Sequence, residues 1–281
     1  MTHGTMKPDL DAYCARIGYH GAREPTLAAL RDLHRLHTQA IAFENLSPFL
    51  GEPVKLDIAS LEDKLVRRRR GGWCFEQNLY FSHVLRAFGF ELATLAARVR
   101  WNIPSEVTTP RSHMLMLASV AGSRYVADVG FGGLTLTAPL ELVAEVEQPT
   151  PHEPHRLLLA QGTYTLQAEV AGAWQSLYVF DLHEHLQTDY EVSNWYLANF
   201  PQSQFVTGLI AARADDDRRH ALRNTRYSIH HASGAIERCH LASVAQLREV
   251  LQGAMRIPLP DHPDLDGRLR RLIDAHPPAE S

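Results

Sequence analysis

The sequence predicts an α+β chain of several domains, in the order helical, β-rich, then mixed. Three observations carry this. Residues 1–90 place apolar side chains at helical spacing. From 91 to 187 the texture changes to short runs of strand formers broken by glycine-centred turns. From 188 to 281 helical and strand patterns alternate.

The first helix opens at Leu10-Asp11-Ala12-Tyr13 and stops near Gly18. Pro25 or Thr26 starts the second, with Leu27, Leu30, Leu33, Leu36 and His37 along one face. Pro48, Gly51 and Pro53 mark a loop. Ser60 with Asp63 reads as an imperfect capping box for a third helix that runs into Arg67–Arg70. Gly71-Gly72 then ends that helix and permits a sharp turn. Phe75, Leu79, Val84, Leu85 and Phe88 carry the next one.

The strands of the middle part are ELATLAARVRW, SHMLMLASV, RYVADVGF, HRLLLA, TYTLQAEV and SLYVFDL. Gly122-Ser123, Gly162 and Gly172 punctuate them at hairpin intervals. A small antiparallel barrel and a sandwich both fit. Beyond it, DYEVSNWYLANFP predicts a helix ending before Pro201. RYSIHHA and AIERCHL read as strands, and SVAQLREVLQGAM and DLDGRLRRLIDAH as helices. AARADDDRRH, with its mixed charges, reads as a solvated loop.

Composition narrows the function classes. The 281 residues are 45% hydrophobic and 21% charged, with a net charge of −4. That is enough apolar material for a sizeable core. A nucleic-acid binder normally carries a basic excess, so none is expected. No apolar run approaches the roughly 20 residues of a membrane helix. MTHGTMKPDL lacks the apolar centre of a secretory signal. Cys14, Cys74 and Cys239 are few, odd in number and far apart, which points to a reducing compartment and a cytoplasmic protein.

Cys74 is the first candidate for chemistry. It follows two glycines and opens a helical pattern, where unpaired N–H groups and the helix dipole favour a thiolate. A buried structural cysteine is the competing reading. A cysteine nucleophile needs a histidine base and a group to orient it. His113 begins the apolar run Met114-Leu115-Met116-Leu117. Asp128 lies in the apolar run Val126-Ala127-Asp128-Val129, where a carboxylate is costly without a partner. A two-residue turn at Gly122-Ser123 sets Asp128 opposite Leu117, two pleats from His113, so spacing alone leaves the triad open. The same three residues also fit a hydrolase or transglutaminase-like enzyme. Zinc coordination is a third reading, but no C-x-x-C or H-x-x-x-H pair supports it, and no metal is expected.

RGGWCFEQN, SHMLML and ADVGFGG together resemble the arylamine N-acetyltransferases, as do AFENL at 42–46 and SNWYLANFPQSQF at 193–205. The resemblance implies an N-terminal helical bundle (1–90), a central antiparallel β-barrel (91–187) and a C-terminal α/β lid (188–281). The implied catalytic core is of the cysteine-protease or transglutaminase kind, with a Cys74–His113–Asp128 triad. Acetyl-CoA is then the donor substrate, with no tightly bound cofactor. The implied acceptors are arylamines, arylhydrazines or N-hydroxyarylamines. Phe43, Phe131 and Phe205 are implied to line the acceptor pocket. Gly130-Phe131-Gly132-Gly133 offers bare backbone for the approach of CoA. Arg70, the motif arginine, is expected to pair with Glu44. Arg67, Arg68 and Arg69 are expected to be a solvated helix end. Glu76 and Asn78 are read as hydrogen-bonding supports.

Overall fold

The computed structural model describes residues 7–104 and 106–277. Met1–Met6, which open the segment read for a secretory signal, lie outside the described residues.

Helix α1 (Leu10–Ile17) starts where the Asp9 carboxylate accepts the Ala12 N–H, and it ends at Gly18 in left-handed conformation. Helix α2 (Leu27–Ala40) is capped by the Thr26 hydroxyl. Its inner face buries Leu30, Leu33, His34 and His37 completely. A short strand β1 (Phe43–Glu44) and helix α3 (Leu46–Leu50) follow. Pro48, expected in a loop, sits inside α3, and Gly51 closes the helix with φ 80°. Asp57, rather than Ser60, caps α4 (Ile58–Glu62): its carboxylate accepts the Ser60 N–H. A π-helical turn, Asp63–Arg67, leads into the arginines.

The sharp turn before Cys74 is made by Arg69, with φ 54°, and not by the glycines. Gly71 and Gly72 serve close approach instead. A Cβ on Gly71 would lie 2.2 Å from Ala42 O. Gly72 N–H donates to Ala42 O, and Glu44 N–H donates to Gly72 O. Helix α5 (Cys74–Ala87) then runs through the centre, with every residue from Cys74 to Ser82 buried.

The middle part is an antiparallel barrel, which removes the sandwich alternative. Its strands are β2 (Glu91–Val99), β3 (Arg111–Val120), β4 (Ser123–Ala127), β5 (Leu140–Glu141), β6 (Glu147–Gln148), β7 (His155–Ala160), β8 (Thr163–Val170) and β9 (Ala173–Glu184). Among the described residues they form one sheet in the order β5-β4-β3-β2-β9-β8-β7-β6. Its two edges meet through a side chain. Gln148 Oε1 accepts the Glu141 N–H, and Gln148 Nε2 donates to Glu141 O. Closure of this kind hides strand edges that would otherwise pair with other chains.

Strand β3 is buried on both faces, which explains the unbroken apolar run Met114–Ala118. Met114, Met116 and Ala118 pack with the helices. Leu115 and Leu117 point into the barrel.

The C-terminal part contains α6 (Gln187–Asn199), α7 (Gln204–Thr207), β10 (Ile210–Ala214), β11 (Arg218–Arg223), β12 (Arg226–His231), β13 (Ile236–His240), α8 (Val244–Gln252) and α9 (Leu265–Ala275). The second sheet has the order β1-β10-β11-β12-β13, so one of its strands comes from the first 90 residues. The supposed loop AARADDDRRH is a hairpin: only Asp215–Asp217 turn, and the flanks are strands β10 and β11. Arg213 and Arg219 are buried there because each meets an acid, Asp215 and Glu153 respectively. Charge density misleads when the charges pair internally.

Candidate active site

Three elements converge on Asp128: the first turn of α5, the start of β3, and the chain just past β4. The hairpin between β3 and β4 turns at Ala121-Gly122, both with positive φ. Val120 pairs with Ser123, and Leu117 with Val126. The turn lies one residue earlier than Gly122-Ser123. That shift moves Asp128 one pleat closer to His113 and keeps both on the barrel face.

His113 Nε2 lies 2.7 Å from Asp128 Oδ2, and both side chains are buried. The other carboxylate oxygen, Oδ1, accepts Asn78 Nδ2 at 2.8 Å and the Gly130 N–H at 2.9 Å. Asn78 is fixed in turn, because its Nδ2 also donates to Met114 O and its Oδ1 accepts the Val129 N–H. The Asp128 N–H donates to His34 Nε2 at 3.2 Å. Burial alone would raise the Asp128 pKa. The His113 charge, with hydrogen bonds from His113, Asn78 and Gly130, lowers it below its usual value.

Burial also opposes protonation of His113. The Asp128 charge and hydrogen bonds from Asp128 and Cys74 outweigh it and raise the His113 pKa to about 10. With Nε2 held by the carboxylate, Nδ1 is the nitrogen left for Cys74. Cys74 is the first residue of α5, and its Sγ lies 3.8 Å from Ser112 O. The helix's first N–H groups have no acceptor within the helix.

The aromatic residues form two groups. Phe131 and Tyr178 stand edge-on or tilted to the His113 ring, with centroids 5.2 and 5.0 Å away. Phe43 and Phe205 lie 6.4 Å apart, and Trp73 meets Phe205 at 5.1 Å. Gly130 does not offer its backbone outward. A Cβ there would lie 2.8 Å from Cys74 Cα, so the close packing of Gly130 on the α5 start accounts for the glycine. A Cβ on Gly132 would touch the Phe43 ring at 3.7 Å, whereas Gly133 faces open space.

Arg70 Nε and Nη2 both donate to Glu44 Oε1, at 2.9 and 2.7 Å, with both side chains buried. Glu44 Oε2 accepts the Leu46 N–H. Asn45 joins this strand to the C-terminal part: its Nδ2 donates to Phe205 O and Gly208 O, and its Oδ1 accepts the Ile210 N–H. Glu76 binds Lys64 Nζ and the Trp73 N–H. Arg67, Arg68 and Arg69 are exposed.

Sequence reasoning missed Tyr178, Trp73, Asn45 and His34. Trp73 and Asn45 lie inside RGGWCFEQN and AFENL without a role read from them there, and His34 stands as a polar residue one turn before His37 on the apolar face of α2. Among the described residues, no cluster of His, Cys, Asp and Glu is arranged to hold a metal ion. No described helix is long and apolar enough to cross a membrane.

The comparisons agree with this architecture. The N-acetyltransferase family profile matches residues 26–263. An arylamine N-acetyltransferase of Mycobacterium tuberculosis is 42% identical over 283 residues, covering 98% of this chain and all of that protein. A Salmonella typhimurium arylamine N-acetyltransferase / N-hydroxyarylamine O-acetyltransferase is 39% identical, covering 98% of this chain and 99% of the relative. The Mycobacterium marinum enzyme solved in complex with CoA superposes with a TM-score of 0.88 at 41% identity, covering 95% of this chain and 99% of that one. A cysteine–histidine–aspartate acyltransferase architecture is the class these features define. The chain belongs to the arylamine N-acetyltransferase family.

Proposed function

We propose that this protein moves an acetyl group from acetyl-CoA to the nitrogen of arylamines, arylhydrazines or N-hydroxyarylamines, through an acetyl-cysteine at Cys74. The observation that carries the reading is the buried His113–Asp128 contact beside the first residue of α5. An N-hydroxyarylamine also offers its oxygen, and the Salmonella relative is named for that transfer.

His113 takes the Cys74 proton, giving a thiolate–imidazolium pair, and Asp128 stabilises the ring's charge. The thiolate attacks the thioester carbonyl. Backbone N–H groups of the first α5 turn face the developing oxyanion. The C–S bond to CoA breaks, CoA leaves as a thiol with the proton from His113, and an acetyl thioester remains on Cys74. The acceptor nitrogen then attacks that thioester. His113 takes a proton from the nitrogen and returns it to Cys74 as the amide forms. An arylamine is weakly basic and largely unprotonated at neutral pH, so its lone pair is available. Burial of Cys74, His113 and Asp128 to 6% exposure or less supports exclusion of the water that would hydrolyse the intermediate.

Phe43, Phe131 and Phe205 form the acceptor wall in this reading, and Phe131, Gly132 and Gly133 flank the donor's path. Arg70 and Glu44 brace β1 beneath them. The free thiols of Cys14, Cys74 and Cys239 suit a cytoplasmic setting.

Intact mass after brief exposure to acetyl-CoA, without acceptor, tests the proposal. One acetyl adduct on the wild type, absent from Cys74→Ala and discharged by an arylamine, is expected. Absence of both the adduct and CoA release overturns it.

A further inference from the structure

Away from the triad, a cavity of about 580 Å³ opens between the ends of α1 and α2 and the chain that follows α8. Arg16, Arg69 and Arg256 line it, together with Gly18, Ala40 and Pro258. No acidic residue contributes to its wall, and neither do the triad or its surrounding aromatic residues.

Arginine is seldom buried without an acid. Arg16 is only 8% exposed. Its Nε donates to Leu65 O at 3.0 Å and its Nη2 to Arg69 O at 3.2 Å. Carbonyls satisfy those N–H groups without neutralising the charge. Nη1 meets no acceptor among the described residues. Burial, and then the charge of Arg69, lower the Arg16 pKa to about 10, against a small opposing effect of Tyr13. The Arg69 guanidinium has no ion pair among the described residues. Arg256 reaches Asp215 at 3.6 Å, but that carboxylate is already held by Arg213 and His220.

The backbone adds a second observation. Arg69 and Arg256 both adopt left-handed conformations, with φ 54° and 53°. Two such residues border one cavity, and both carry a guanidinium.

A concentration of positive charge with one buried member needs an anion. Guanidinium groups bind phosphate oxygens through paired N–H donors. Three of them suit a multiply charged group, and the volume exceeds that of a lone phosphate, falling within the roughly 300–1,000 Å³ of small-molecule sites. We propose that this cavity binds a small phosphorylated molecule at a site separate from the catalytic cleft. Occupancy would tie the N-terminal helices to the C-terminal segment and stabilise the folded chain by mass action.

Pyrophosphate is the probe, titrated calorimetrically at constant ionic strength into the wild type and an R69Q/R256Q double variant. Both substituted side chains are exposed, and neither belongs to the catalytic machinery. Saturable one-site binding to the wild type, with a rise in Tm, is expected. The double variant should bind at least about tenfold more weakly while keeping its KM for acetyl-CoA in acetyl-cysteine formation. Non-saturating binding, or equal binding by the variant, overturns the proposal. A parallel rise in the KM for acetyl-CoA also overturns it, since the cavity would then seat the donor's own phosphates.

Discussion

His34 and His113 both bond to Asp128, and both are almost wholly buried. They respond in opposite directions. The pKa of His34, on α2, falls to about 4, because burial dominates the weaker pull of Asp128. Its neighbour His37 falls to about 3, through burial and the proximity of His34. His113 rises to about 10. The difference lies in which atom of Asp128 each one meets. His34 accepts the backbone N–H, an uncharged donor. His113 meets the carboxylate. Depth therefore does not set the charge of a buried imidazole; direct contact with a counter-charge does.

The largest expected effect comes from removing that counter-charge. Asp128→Asn keeps the shape but removes the carboxylate. Acetyl-cysteine formation, followed by rapid quench, should slow by about 10⁴-fold, the scale of a triad that has lost its orienting acid. A loss smaller than about tenfold would break the comparison, since His113 would then hold its proton without Asp128.

Arg70 and Glu44 sharpen it with a second buried pair. Arg70→Gln leaves the Glu44 carboxylate buried and uncompensated. Urea unfolding should show a loss of about 3–5 kcal/mol. An unchanged midpoint would mean that Glu44 finds another partner.

The smallest effect is a matter of pH. The lowered values of His34 and His37 mean that the unfolded chain binds protons that the native state refuses. Their stabilising contribution is present above pH 6.5 and is lost as pH falls toward about 4 for His34 and about 3 for His37. His113 does the reverse: its contribution is full below pH 6.5 and is lost as pH rises toward 10. Each histidine contributes a slope of about 1.4 kcal/mol per pH unit within its window. His34→Gln should flatten the acid limb of stability against pH, and His113→Gln the alkaline limb. If each flattens the other's limb, the assignments are reversed.

The helices and barrel strands are legible in the sequence because burial imposes local periodicity. Cys74 stands out where a glycine pair meets a helix start, and His113 and Asp128 stand out as polar residues in apolar runs. What is not legible depends on pairing across distance. Ala121-Gly122 and Gly122-Ser123 are equally good turns on paper, yet one residue of register decides how far Asp128 lies from His113. Arg213 and Arg219 read as solvated until Asp215 and Glu153 are seen beside them. Asn45 acts through Phe205, Gly208 and Ile210, and Tyr178 through His113, and no short window of sequence contains both ends. Gly130 reads as open backbone, and only the α5 start pressed against it explains the missing side chain.

The two-residue strand β1 has a bearing on how the chain is made. Its partner β10 lies far downstream, and Asn45 and Ile210, which bond beside it, are 165 residues apart. During synthesis from the N-terminus, Cys74, His113 and Asp128 all leave the ribosome before β10 does. Phe43 and the Gly71-Gly72 segment bound to β1 must therefore wait for the C-terminal sheet before their surroundings are complete. Closing so long a loop is an entropic delay that strengthens only slowly with length. A nascent chain thus carries Cys74 before it has the finished enclosure around it, and release of the segment from β10 onward is the step that completes that enclosure.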